Sequence, residues 1–213
     1  MALSKLEQKA RRIKNKELSA NLRRLRVGTS WRLNSDFLFQ ERADWFISVV
    51  FATWLSEERT TATLYIKPMA LDPLFWEIAG IEENKSMPLS FRRNGAWTCS
   101  TPAFGKVELD DELEPHLLAG SLLEWSEQQG SKLENYSINE FVAFIQKAPR
   151  GYPGAYLAAE ITGLILQGKL KTAQEKCRDA RAQKESGGFM WGPPGDRISF
   201  VDAAESWSAR AQN

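Results

Sequence analysis

The chain is poor in the residues that metal and redox chemistry draw on. Its 213 residues include one histidine, His116, and two cysteines, Cys99 and Cys177. A single imidazole excludes any site that needs two, the paired-histidine zinc motifs among them. The cysteines stand 78 residues apart and form no CxxC pair. They read as buried thiols of a reducing compartment rather than a disulfide framework, although one bridge is open to them. Long apolar runs are missing too. The longest aromatic-apolar stretch, residues 45–55, has 11 residues and includes Ser48 and Thr53, whereas a bilayer span needs about 20. The opening MALSKLEQKARRIKNK lacks the apolar core of a secretory signal, and Glu7 and Glu17 set it apart from an acid-poor transit peptide. The expectation is a cytoplasmic protein with no membrane partner, no metal and no cofactor.

What is present is ordinary in amount and uneven in placement. The composition, 43% hydrophobic and 26% charged, is that of a globular protein. The net charge of +1 excludes a globally basic nucleic-acid binder. That sum is a cancellation. Residues 1–26 carry nine basic side chains against two acids, a charge of +7, which leaves −6 on the other 187 residues (19 basic against 25 acidic).

The basic leader has helical spacing. Leu3, Leu6, Ala10 and Ile13 share one face, and Leu18, Leu22 and Leu25 continue the stripe rotated by about a quarter turn. Either one long helix or two shorter ones, broken near 14–16, fits this pattern, with Gly28 as the terminating residue. A core-packing helix with a solvated basic back is the plainest reading. A helix that binds an acidic partner or a phosphate backbone, through Arg11, Arg12, Lys14, Arg23, Arg24 and Arg26, is the functional one.

Residues 29–109 read as sheet. Trp31, Leu33, Ser35, Phe37 and Phe39 alternate as one strand face, and 44–55 is rich in Val, Ile, Phe and Trp. Residues 60–67 alternate next, after the polar connection SEERT. A short helix over 72–79 or 73–79 ends at Gly80. Two further strands, 87–92 and 97–109, flank the hairpin signal Asn94-Gly95. Residues 110–213 read as helices. The first runs from Asp110 or Asp111 to about 129 and buries Leu113, Leu117, Leu118, Leu122 and Trp125. A capping box, Ser137 to Glu140, opens the next, which Pro149 closes. An almost wholly apolar helix over 154–166 follows, then one over 172–184 and a last one opened by Ser199-Phe-Val-Asp202. The prediction is an α+β fold: an N-terminal helix, an antiparallel meander of about five strands, and a C-terminal bundle of about five helices. The regions 1–109 and 110–213 follow from it, the second packed on the first.

Several constellations carry chemistry in principle. Asp110, Asp111, Glu112 and Glu114 beside His116 form the most enzyme-like cluster, although acids in a first helical turn also suit the macrodipole. Asp72 with Glu83-Asn-Lys85 has a spacing seen in metal nucleases, but Glu83 to Lys85 reads as a turn. The loop GGFMWGPPG, 187–195, has prolines where a phosphate cradle needs N–H donors. Its Phe189 and Trp191 serve either to pin the last helix or, for Trp191, to anchor a partner. Glu160, the acid of the apolar helix, needs a cation such as Arg150. Five of the eight tryptophans fall within 31–97, interleaved with Arg32, Arg42, Arg92 and Arg93. They fill a core or interface, or stack on single-stranded nucleic acid.

The segments GTSWRLNSDFLFQERADWFISVVF and TATLYIKP resemble small uncharacterised bacterial α+β proteins, among them immunity proteins that neutralise toxins of polymorphic or contact-dependent systems. That resemblance implies a non-enzymatic protein that covers a partner's site, and it assigns no functional residue. The expectation is therefore a protein-interaction module. The alternatives are a nucleic-acid-associated accessory protein acting through residues 1–26 and a carboxylate-based enzyme.

Overall fold

A computed structural model describes residues 4–35, 37–54, 59–95, 97–110, 113–152, 154–193 and 196–211. Along the chain come α1 (Lys5–Leu25), β1 (Arg32–Asn34), β2 (Phe37–Arg42), β3 (Trp45–Trp54), β4 (Arg59–Pro68), α2 (Leu71–Ala79) and β5 (Gly105–Asp110). Then follow α3 (Pro115–Ser131), α4 (Ile138–Lys147), α5 (Leu157–Leu166), α6 (Leu170–Ala182), β6 (Met190–Trp191), β7 (Ile198–Ser199) and α7 (Phe200–Arg210). The fold is α+β: a helix, an antiparallel sheet ordered β1-β2-β3-β4-β5, then helices. Among the described residues no helix is long and apolar enough to cross a membrane. The chain divides into two compact units, each built from two segments: 1–66 with 103–135, and 67–102 with 136–213.

The first unit holds α1, the sheet and α3. α1 is one continuous helix, opened by a capping box in which Ser4 N–H donates to Glu7 and Glu7 N–H donates to Ser4 Oγ. It ends at Arg26, and Gly28 (φ +87°) carries the turn that follows. Leu18 and Leu22 are fully buried and pack the second half of the helix against α3. The earlier stripe is not covered: Leu6 is 78% and Ile13 50% exposed. Leu3 lies outside the described residues.

The strand expected at 31–39 is instead a hairpin. The chain reverses at Ser35 (φ +53°), pairing Arg32 with Phe39 and Asn34 with Phe37. The next turn is a two-residue one at Ala43 and Asp44, closed by the pairing of Arg42 with Trp45. The fifth strand is shorter than expected, because only Gly105–Asp110 pairs with β4. α3 starts at Pro115, not at Asp110, since Asp110 still belongs to β5; proline at the first helical position loses no hydrogen bond. Leu118 and Leu122 are buried on it, whereas Leu117 is 51% exposed. Gly130 lets the Arg42 guanidinium lie against the helix: a Cβ there would stand 2.9 Å from Nη1 and push that side-chain end aside.

The second unit is organised around α5. Every residue from 157 to 165 is buried, and α2, α4, α6 and α7 all pack against it. The capping box Ser137–Glu140 opens α4, and Ser199 caps α7 by accepting from Asp202 N–H. Gly80, in the left-handed region, terminates α2. The segment expected as a strand over 87–92 is a 3-10 turn, Leu89–Arg92, after a first one at Glu82–Ser86. Asn94-Gly95 makes no hairpin; Asn94 Nδ2 instead donates to Thr101 O at 3.1 Å. Pro88 has no N–H to give to a ladder, and the Arg92 carbonyl is taken by Lys67 Nζ at 2.6 Å. The glycine-rich loop is tied by the β6–β7 ribbon, which lets Phe189 pack edge-on against Phe75 while Phe200 of α7 stacks on the same ring.

Candidate functional site

The basic leader gives the clearest functional surface. At 100° per residue, Leu6, Ala10 and Ile13 form an apolar stripe, and Lys5, Lys9, Arg12 and Lys16 form a column about 60–120° around the helix from Leu6. All seven are exposed. Of the residues singled out from the sequence, Arg12, Arg23 and Arg24 are exposed, and Arg11, Lys14 and Arg26 are half-buried. Arg24 Nη2 donates to Asn21 at 2.8 Å, and Arg26 Nη1 to the Trp31 carbonyl at 3.3 Å. The six do not make one patch. Arg26 braces the turn after the helix, while Arg12 heads the face that nothing covers.

Arg92 and Arg93 lie in the second unit, in and after the 3-10 turn, not on the sheet. Arg92 sits over the Trp76 ring at 5.9 Å and donates to the Met69 carbonyl. Trp31, Trp45 and Trp76 are buried. They serve as core, because an aromatic face must be exposed to stack on a base, whereas Trp97 is 48% exposed. Trp191 is half-buried against Phe189, ring centroids 5.2 Å apart.

Asp110 ends β5 opposite Arg59, and His116 is exposed in the first turn of α3; Asp111 and Glu112 lie outside the described residues. Among the described residues, no three His, Cys, Asp or Glu side chains converge as metal ligands would. Lys85 turns to Glu77 (3.2 Å) and Glu82, and leaves Asp72 to another partner.

That partner is Lys67. Both are buried. Lys67 Nζ lies 3.1 Å from Asp72 Oδ2 and donates to the Arg92 carbonyl at 2.6 Å. The Cys99 backbone N–H donates to Asp72 Oδ1 at 2.8 Å. Burial raises the Asp72 carboxyl, and Lys67 and the Cys99 N–H pull it back. Burial and the nearby Asp72 charge push the Cys99 thiol well up, so it is a packing group and not a nucleophile. A usable signal was a lysine between Ile66 and Pro68 at the end of an apolar strand, five residues before an aspartate in a helix's first turn. A cleft beside this cluster, lined by Phe75, Cys99, Tyr156 and Phe189, measures about 60 Å³, below the ~300–1,000 Å³ of ligand sites.

Glu160 is fully buried and doubly paired, with Arg150 Nη2 at 2.6 Å and Lys176 Nζ at 2.9 Å. Gln146 Nε2 adds a third contact at 3.3 Å. Arg150 was expected and Lys176 was not. Both carboxylate oxygens are engaged, which makes Glu160 the tie between α5, α6 and the segment after α4.

In comparison with known proteins, the chain matches no family model, no curated protein and no solved structure.

Proposed function

We propose that this chain is a non-enzymatic, cytoplasmic protein-interaction module of the immunity type, which binds a partner and blocks it by surface complementarity. The observation that carries the reading is the uncovered first half of α1, where an apolar stripe with Leu6 78% exposed runs beside a column of four basic side chains. A helix of that make-up docks in an acidic groove, burying the stripe while the cations meet carboxylates. A contact with phosphates alone leaves Leu6 and Ile13 wet, which favours a protein partner over nucleic acid.

The test is capture from the native host by the chain and by its Leu6→Asp/Ile13→Asp variant, with mass spectrometry. A stable stoichiometric complex, formed by the first and lost by the second, is expected. The exposed Arg12, Arg23 and Arg24 keep one alternative alive, a nucleic-acid accessory role. It requires binding that weakens steeply with salt and is lost when Arg11, Arg12, Arg23 and Arg24 are neutralised.

A further inference from the structure

The turn after α1 and one face of α3 enclose an open groove of about 450 Å³ in the first unit. Its walls include Trp31 on one side and Gly120, Leu123, Glu124 and Glu127 on the other. Gly120 presents bare backbone there, with no atom within 4 Å of where a Cβ would stand. Leu123 gives the floor apolar surface. Glu124 and Glu127 are exposed along the rim. Glu127 is engaged by Arg42 and by the Trp31 indole. Glu124 accepts from the neutral Gln128 amide at 3.3 Å and stands at the groove mouth.

We infer that this groove receives the first half of α1 from a second copy of the chain. The complementarity is in polarity and charge: an apolar stripe with a basic column beside it meets the apolar surface of Leu123 and the acidic rim of Glu124 and Glu127. Lys9 and Arg12 face Glu124 and Glu127. The molecule cannot fill its own groove. The groove begins at the C-terminal turn of α1, whereas Ile13 and Leu6 lie about 20 and 30 Å back along the same unbroken helix. A two-fold pair, in which each copy gives a helix and takes one, satisfies both surfaces at once.

The inference shares the α1 face with the proposed function, so a partner protein and a second copy compete for one helix. Sedimentation equilibrium over a concentration series tests it, with circular dichroism to verify that each variant is folded. The full chain is expected to form dimers. Glu124→Arg alone, or Lys9→Glu/Arg12→Glu alone, should weaken dimerisation about tenfold or more, since like charges then face each other. Combining the reversals should restore it. A chain that stays monomeric throughout, or a dimer whose constant none of these changes moves, overturns the inference. Partner capture separates the two readings. If capture survives Glu124→Arg but not Leu6→Asp/Ile13→Asp while the chain is monomeric, self-association fails and the interaction module stands.

Discussion

Trp31 donates its indole N–H to Glu127 Oε2 at 2.9 Å, joining residues 96 positions apart, while Arg42 closes on the other carboxylate oxygen at 2.7 Å. The indole is buried and the carboxylate is half exposed. Glu127→Ala therefore strands a buried donor, at a cost of about 1–3 kcal/mol. Glu127→Gln keeps an acceptor and loses only an exposed ion pair, worth about 0–1 kcal/mol. Urea denaturation of the two variants should show this order.

Lys67 and Asp72 make an asymmetric pair. Asp72→Asn leaves a buried ammonium without its anion and should destabilise by about 3–5 kcal/mol. Lys67→Met should cost less, because burial already raises the Asp72 carboxyl and it can take up a proton. The double variant should lie well below the sum of the two, as a double-mutant cycle reads it. Glu160→Gln offers a contrast. Its cations Arg150 and Lys176 are about one-third exposed and rehydrate when the charge goes, so the loss should fall below that of Asp72→Asn.

Much of this was legible beforehand, and the misses share a cause. Ser137–Glu140, Gly80 and the apolar run around Glu160 are local signals whose geometry is fixed within one turn of chain. They appear where expected. Leu89 and Phe91 alternate as strand residues do, yet Pro88 offers no N–H to a ladder and Lys67 takes the Arg92 carbonyl, so the segment turns instead. Ser35 turns the chain inside an unbroken alternation, because polar Asn-Ser-Asp suits a turn as well as a solvent face. In α1 the period identifies two stripes correctly but cannot say which one finds cover. Lys67 meets Asp72 only because β4 ends where α2 begins, which no charge count reveals.

Gly163 lies in the middle of α5, where helix propensity alone favours Gly→Ala by about 1 kcal/mol. A Cβ there would stand 2.8 Å from Val142 Cγ2 of α4. Overpacking of that kind costs about 1–3 kcal/mol and should reverse the sign. Gly163→Ala is expected to lower the melting temperature, and adding Val142→Ala to recover part of the loss.

Cys177 is buried in α6, and burial pushes its thiol up to about 12 from an ordinary value near 9. Between those values the unfolded chain has released the proton and the folded chain has kept it. Stability therefore falls as pH rises above 9, by up to about 1.4 kcal/mol per pH unit from this one group. Denaturant midpoints against pH should fall less steeply for Cys177→Ala than for the unaltered chain.

The interleaving of the two compact units bears on how the chain is made. No contiguous stretch of sequence contains the whole of one unit without part of the other. As the polypeptide leaves the ribosome, α1 and the first four strands emerge and then wait. β5 and α3 arrive only after residues 67–102, which belong elsewhere, have been released. Those residues wait in turn for α4 to α7. The first unit has all its segments once residue 135 is out, while residues 67–102 still lack the helices that cover them, so the second core is the one synthesis leaves open longest.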